Sequence, residues 1–179
     1  MKYALLLSAG LLVPSLASAG SARPDLNPSA VATQAVSPHA ASASSASVSV
    51  LRAQDIPTLV HAPAHGARLI AFWSLDCTYC EPNLQALAAL QRAHPDDFEL
   101  VFVATDSMEH RAAIAARLHQ ADVAMYPARA YAEATPDRLN FLLDPTWGGE
   151  TPRVLMIRAD GTRVGVSGEL TPAQLNKLR

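Results

Sequence analysis

The chain has two cysteines, Cys77 and Cys80, three positions apart in the stretch AFWSLDCTYCEPNLQAL. Two thiols at this spacing can form a structural disulfide, supply half of a metal site, or cycle between dithiol and disulfide. A disulfide across so short a loop stabilises a fold less than a long-range one does. Zinc needs further ligands, and none is spaced suitably near the pair. The spacing therefore favours redox chemistry.

The cysteines lie between two well-marked elements. Arg68–Ser74 (RLIAFWS) is a continuous apolar run and predicts a buried central strand, whereas Thr78–Ala93 predicts an amphipathic helix with Pro82 near its first turn. Cys77 is therefore expected at the helix N-terminus, with Cys80 one turn inside. Free amide groups and the helix dipole stabilise a thiolate there, and the thiolate is the reactive species. The deeper Cys80 suits the attack that resolves a mixed disulfide.

Hydrophobic runs and turn residues place the remaining elements. We predict strands at 56–60, 98–105, 153–158 and 162–167, helices at 107–122 and 171–178, and broken helical pieces over 125–141. The order β-α-β-α-(α)-β-β-α predicts an α/β fold with a central mixed β-sheet flanked by helices on both faces.

The N-terminal third differs in composition from the rest of the chain. Residues 1–19 combine Lys2, a short apolar run and a small-residue cleavage site, which is typical of a secretory signal peptide; an uncleaved anchor is the alternative. Residues 20–50 are rich in Ser, Ala and Pro and predict a flexible linker. The folded domain is expected over 51–179, and the protein is expected to be periplasmic and soluble after cleavage.

The charge balance excludes one class of partner. The chain has 14 Lys and Arg against 16 Asp and Glu, which gives a net charge of −2. No basic stripe is present, so we expect no binding to nucleic acid. No dimerisation segment is evident, and we expect a monomer.

Two stretches resemble the thioredoxin superfamily. LIAFWSLDCTYC resembles its strand and active-site turn, and GGETPRVLMIRADGTRVGVSGELTPAQLNKL resembles its ending of Thr-Pro, strand, Asp-Gly turn, strand, Gly and helix. Together with the signal peptide, the chain is most similar to the TlpA/ResA-like periplasmic thiol-disulfide oxidoreductases. The likeness covers about residues 56–178 and is vague between 125 and 144. It implies a thioredoxin-like fold.

The resemblance also implies roles for single residues. Cys77 would be the nucleophile and Cys80 the resolving cysteine. Pro152 would be a cis-proline preceded by Thr151, forming a backbone edge that pairs with an extended segment of the substrate. Trp73 would pack beneath the site.

Some positions depart from the family pattern. Ala71 stands where thioredoxin has a buried acid, and Asn83 stands where ResA-like members often have Glu. The usual proton acceptors for the buried thiol are therefore missing, which puts the turnover rate in doubt.

Three residues bear on the redox potential of the pair. Asp76, directly before Cys77, either raises the pKa of that thiol, which makes the pair more reducing, or is solvated and contributes little. Tyr79 and Thr151 are similar to residues of the disulfide isomerase DsbC, which has a CxYC site and a Thr-Pro. Both features argue against a strong oxidant.

The sequence thus predicts an exported oxidoreductase that reduces or isomerises disulfides of periplasmic proteins. No cofactor is expected, because the electrons reside on the cysteine pair, and the family implies a membrane electron donor. One alternative is an oxidant that donates its disulfide. Another is a non-catalytic binding or metal-handling module, although His61 with His65, and Met108 with His110, are more typical of surface and packing positions.

Overall fold

The computed structural model describes residues 47–132 and 136–178. The predicted signal peptide and most of the predicted linker lie outside these residues. The described chain contains strands β1 Val48–Leu51, β2 Ala67–Trp73, β3 Phe98–Ser107, β4 Ala128–Tyr131, β5 Arg153–Arg158 and β6 Arg163–Ser167. Its helices are α1 Ile56–Leu59, α2 Cys80–Ala93, α3 Arg111–Gln120, α4 Asp137–Leu143 and α5 Pro172–Lys177, with 3-10 turns at Ala53–Asp55 and Met108–His110. None of the helices in these two ranges is long and apolar enough to span a bilayer.

The six strands form one mixed sheet in the order β1-β4-β3-β2-β5-β6. The first four in this order are parallel, whereas β5 and β6 are antiparallel to their neighbours. The central strand β2 is buried along both faces, which explains why its sequence is a continuous apolar run. The predicted mixed sheet is confirmed.

Helices cover both faces of the sheet, as predicted. On one face, helices α2 and α3 contribute Leu87 and Ile114 to a core that includes Ala71, Trp73 and Cys80. On the other face, α1 and α4 pack with the alternate residues of β2. Because side chains alternate along a strand, β2 supplies both cores at once.

One predicted element is wrong and a second is right only in part. Residues 56–60 were expected as a strand but form α1, because Pro57 is compatible with a first helical turn and Ile56 and Leu59 face the same core. The segment 125–141, expected as helical pieces, contains strand β4, and its end is helical as expected, as part of α4. Parallel pairing with β1 on one side and β3 on the other satisfies the backbone of β4, so sheet context decides its conformation.

Strand β1 begins within the stretch expected to be linker. Its four residues pair in parallel with β4, and Val48 and Leu51 are buried. The sheet therefore includes residues before position 51, the expected start of the domain.

Two phenylalanines provide a matched test of the core. Phe102 of β3 is fully buried, whereas Phe141 of α4 is 63% exposed. We expect Phe102→Ala to lower the free energy of unfolding by about 3–5 kcal/mol, because it removes buried apolar area and leaves a cavity. Phe141→Ala should change it by less than about 0.5 kcal/mol. Urea unfolding followed by circular dichroism measures both, and equal losses would contradict the core assignment.

Candidate functional site

The two cysteines form a disulfide with an S–S distance of 2.07 Å and a Cα–Cα distance of 5.5 Å. Cys77 is partly exposed, whereas Cys80 is 1% exposed and belongs to the core beneath α2. The pair thus has an accessible outer sulfur and an inaccessible inner one. A substrate that approaches from solvent can reach Cys77 only.

Helix α2 begins later than the sequence suggested. Cys80 is its first residue, not a residue one turn inside, and Cys77 lies in the preceding turn. This turn is closed by backbone hydrogen bonds from Cys77 N to Ser74 O and from Cys80 N to Cys77 O, both 3.3 Å. Thr78 and Tyr79, which were expected to start the helix, belong to this turn.

A second loop lies beside the cysteine turn. Strands β2 and β5 are antiparallel with Phe72 opposite Arg153, so the residues after β2 face the residues before β5. The Thr151–Pro152 peptide bond in that second loop is cis, as the resemblance implies. The Ser74 and Thr151 hydroxyl oxygens are 3.1 Å apart, which places the two loops in direct contact.

Two carboxylates bind the cysteine turn. The Ser74 hydroxyl donates to Asp76 Oδ1 at 2.6 Å, and the backbone N–H of Leu75 donates to Asp106 Oδ2 at 2.9 Å. Neither Ser74 nor Asp106 was predicted as a site residue. Both residues follow the apolar residues of neighbouring parallel strands, and the carboxyl ends of such strands meet at one edge of the sheet. This position is the sequence feature that could have indicated them.

Trp73, Ala71 and Tyr79 occupy different environments. Trp73 is 1% exposed in the same core as Cys80, and its indole N–H has no hydrogen-bond partner among the described residues. Ala71 is buried in this core as well, with no polar group to offer. Tyr79, between the cysteines, is 63% exposed and lies at the surface of the turn.

Asn83 is a structural tie in this chain. Its side chain is buried; Nδ2 donates to Gly168 O at 2.9 Å, and Oδ1 accepts from Leu170 N at 2.8 Å. Gly168 N in turn donates to Pro152 O at 2.8 Å. Asn83 therefore connects helix α2 to the segment that holds the cis-proline.

A buried charged group supports the same loop from the other side. Arg153 is 8% exposed; its Nη2 donates to Asp144 Oδ2 at 2.5 Å and its Nη1 to Ser167 Oγ at 2.7 Å. Ser167 also donates to Glu150, which lies 3.4 Å from Arg153 Nη1. These contacts fix the residues on both sides of Thr151–Pro152.

Trp147 belongs to the core. It is 5% exposed, its ring centroid lies 4.5 Å from that of Phe72, and its indole N–H donates to Glu150 O at 2.8 Å. The Arg153 guanidinium lies 6.0 Å from the centre of its ring. Trp147 thus anchors the loop before the cis-proline to β2.

The two acids around Arg153 have lowered pKa values. Burial raises the pKa of Asp144, but hydrogen bonds from Thr146 and Arg153 and the positive charge of Arg153 outweigh it. The hydrogen bond from Ser167 lowers the pKa of Glu150 against a smaller effect of burial. Both carboxylates are therefore ionised at neutral pH.

The topology and the paired loops define a thioredoxin-like fold. Its solved neighbours are disulfide oxidoreductases and thioredoxin-family proteins, which confirms the resemblance at the level of the fold. One is a secreted disulfide oxidoreductase of Mycobacterium tuberculosis homologous to E. coli DsbE, with 17% identity and a TM-score of 0.50 over 63% of this chain and 79% of that one.

Two further structures give the same result. A thioredoxin-related protein of Neisseria meningitidis serogroup B has 20% identity and a TM-score of 0.50 over 64% of this chain and 82% of that one. A thiol:disulfide interchange protein of Chlorobium tepidum TLS has 18% identity and a TM-score of 0.51 over 63% and 77%. No protein-family model and no curated protein sequence matches the chain.

The Asp144–Arg153 pair predicts a pH-dependent contribution to stability. The folded pKa of Asp144 lies below its unfolded value of about 3.9, so the stabilisation is complete above about pH 5 and is lost as pH falls through the folded pKa. Asp144→Asn should lower the free energy of unfolding by about 1–3 kcal/mol at pH 7, and by less at pH 3. Urea unfolding at both pH values measures this. Asp96→Asn, at an exposed position, is the control; a pH-independent loss in Asp144→Asn would contradict the ionic contribution.

The role of Asn83 as a tie can be tested separately. Asn83→Ala leaves Gly168 O and Leu170 N without their partner, so we expect a loss of about 1–3 kcal/mol for each group that stays buried. Gln85→Ala, at an exposed position of the same helix, should change stability by less than about 0.5 kcal/mol. Amide hydrogen exchange should speed up at Gly168 and Leu170 in Asn83→Ala alone. Unchanged exchange there would refute the tie.

Proposed function

We propose that this chain is a thiol-disulfide oxidoreductase that acts on protein substrates outside the cytoplasm and works in the reducing or isomerising direction. One observation carries the proposal: a disulfide with one accessible and one buried sulfur lies in a turn whose neighbour is the cis Thr151–Pro152 loop. The structural neighbours support the same chemistry, since they include a secreted disulfide oxidoreductase and a thiol:disulfide interchange protein.

In the reduced protein, the Cys77 thiolate attacks one sulfur of a substrate disulfide. A Cys77–substrate disulfide forms, and the other substrate sulfur leaves as a thiolate that takes a proton from water. The Cys80 thiolate then attacks Cys77 and releases the second substrate thiol. Two electrons pass from the protein dithiol to the substrate, and no cofactor is required.

The surroundings assign a task to each part of the site. The amide groups at the start of α2 favour a thiolate at Cys77, which lies just before the helix. The backbone edge at Thr151 and Pro152 would pair with an extended substrate segment, and exposed Tyr79 would contact it. Trp73 would pack beneath the site, in the same core as Cys80. Asn83 makes structural hydrogen bonds and is no base, so the proton of Cys80 has to leave to water from a buried thiol, and we expect this step to be slow.

The direction of transfer rests on Asp76. Its exposed carboxylate is adjacent to Cys77 and opposes a second negative charge, which disfavours the thiolate and makes the pair more reducing. A reducing protein has to be re-reduced, and we propose a membrane electron donor for this. The predicted signal peptide at residues 1–19 would deliver a monomeric periplasmic protein.

Trapping of a mixed disulfide tests the chemistry. Reduced Cys80→Ser should accumulate a dithiothreitol-sensitive covalent complex with a disulfide-containing protein such as insulin, because the resolving thiol is missing. Cys77→Ser should accumulate none, since Cys80 is buried. Absence of a complex in Cys80→Ser, with no reduction of insulin by the unmodified protein, would favour a non-catalytic binding module instead.

The reduction potential of the pair tests the direction. Equilibration with dithiothreitol or glutathione should give a value near about −270 mV, as for thioredoxin. A value near about −120 mV would identify an oxidant, and one well below about −300 mV would identify a structural disulfide. Asp76→Asn should shift the potential to a less reducing value if the carboxylate acts as proposed.

A further inference from the structure

Asp76 lies at the junction of the two loops that form the site. Its Oδ1 accepts the hydrogen of the Ser74 hydroxyl at 2.6 Å, and Ser74 Oγ is 3.1 Å from Thr151 Oγ1. Because Ser74 has a single hydroxyl hydrogen and gives it to the carboxylate, Thr151 must donate its own hydrogen to Ser74. The order Thr151 to Ser74 to Asp76 is thereby fixed.

This relay holds a negative charge next to the edge proposed to receive the substrate. Asp76 is exposed and lies in the turn that leads to Cys77, directly before that residue. Among residues 47–132 and 136–178, the ion pairs Arg68–Glu99, His94–Asp97 and Arg153 with Asp144 and Glu150 leave Asp76 out. The charge of Asp76 is therefore available to a bound partner.

The other carboxylates nearby differ in their partners. Asp106 accepts a backbone N–H from the cysteine turn. Glu150 accepts from Ser167 and lies beside Arg153. Glu81 is partly exposed in the first turn of α2. Of these carboxylates, Asp76 is joined through Ser74 to Thr151 of the cis-proline loop, whereas the charge of Glu150 is paired with Arg153.

We propose that Asp76, held by Ser74 beside Thr151, is a specificity-determining residue that selects disulfides flanked by a lysine or arginine. The proposal rests on the proposed oxidoreductase function and names its substrate class. A basic side chain next to the substrate cysteine would lie near the carboxylate when Cys77 attacks, whereas an acidic one would be repelled. The preference is electrostatic and should fall as ionic strength rises.

The test uses three short peptides that differ only in the residue beside their cysteine: Lys, Gln or Glu. Each cysteine is in a disulfide with 2-mercaptoethanol, a neutral leaving group. Mass spectrometry follows the rate at which reduced Cys80→Ser full-length protein forms the Cys77–peptide disulfide. We expect the Lys peptide to react about tenfold faster than the Glu peptide at low salt, since a unit charge about 6 Å away in water changes a rate about threefold.

Asp76→Asn separates charge from position. The asparagine amide oxygen can still accept from Ser74, so the relay is kept while the charge is lost. We expect the Lys-to-Glu ratio to fall to about threefold or less. Any change in thiolate reactivity acts equally on the three peptides and leaves the ratio unaffected. Asp96→Asn removes an exposed carboxylate from the turn before β3 and should keep the full ratio.

Ser74→Ala tests the positioning part. Without the hydroxyl, the carboxylate is no longer tied to Thr151, and the ratio should fall between those of the parent and Asp76→Asn. A ratio near one in the parent, or a full ratio in Asp76→Asn, would overturn the proposal. Failure of all three peptides to react with Cys77 would instead count against the oxidoreductase function itself.

Discussion

The antiparallel pairing of β2 with β5 determines where every residue of the site can lie. With Phe72 opposite Arg153, the chain leaving β2 and the chain entering β5 are neighbours at the same edge of the sheet. The cysteine turn directly follows β2 and the cis-proline loop directly precedes β5, so both segments must lie at this edge. A shift of this register by one residue would reverse the faces of β5 and separate Ser74 from Thr151.

Polar side chains hold the two loops where the pairing places them. Ser74 joins the loops directly, Asn83 joins α2 to the segment behind Pro152, and Arg153 binds Asp144 before its own strand and Ser167 in β6. These groups are buried or partly buried, so each hydrogen bond replaces one to water, and leaving any partner unsatisfied is costly. Backbone pairing of β2 with β5 therefore places the two loops, and a few buried hydrogen bonds hold them there.

The elements that the sequence predicted well are those with a strong local signal. The apolar run before the cysteines gave β2 to within one residue at each end, and β5 matched its predicted range. Thr171 and Pro172 start α5 as predicted, with Thr171 capping the helix through Gln174. In each case the local residues favour that strand or helix without help from distant contacts.

The elements that were mispredicted depend on contacts far away in the chain. Strand β4 has the sequence ARAY, which carries no strong strand preference, and it becomes a strand because β1 and β3 lie on either side. The Ile56–Leu59 segment reads equally as strand or helix over so few residues. Long-range pairing of this kind cannot be deduced from a short window.

The same division holds for the site. Cys77, Cys80 and Pro152 were recognisable because spacing and neighbours mark them. Ser74 and Asp106 are not marked by any motif. Their importance comes from strand ends that meet only once the sheet order is known, so the sequence alone could not assign their partners.

Asn83 has a consequence for how such a protein could change over evolutionary time. Both polar atoms of its side chain are engaged, one as donor and one as acceptor. A carboxylate at this position could not donate to Gly168 O, so acquiring a buried acid there would release one end of the connection to the proline loop. A single substitution of Asn83 by an acid would therefore loosen the proline loop, unless another donor to Gly168 O were already present.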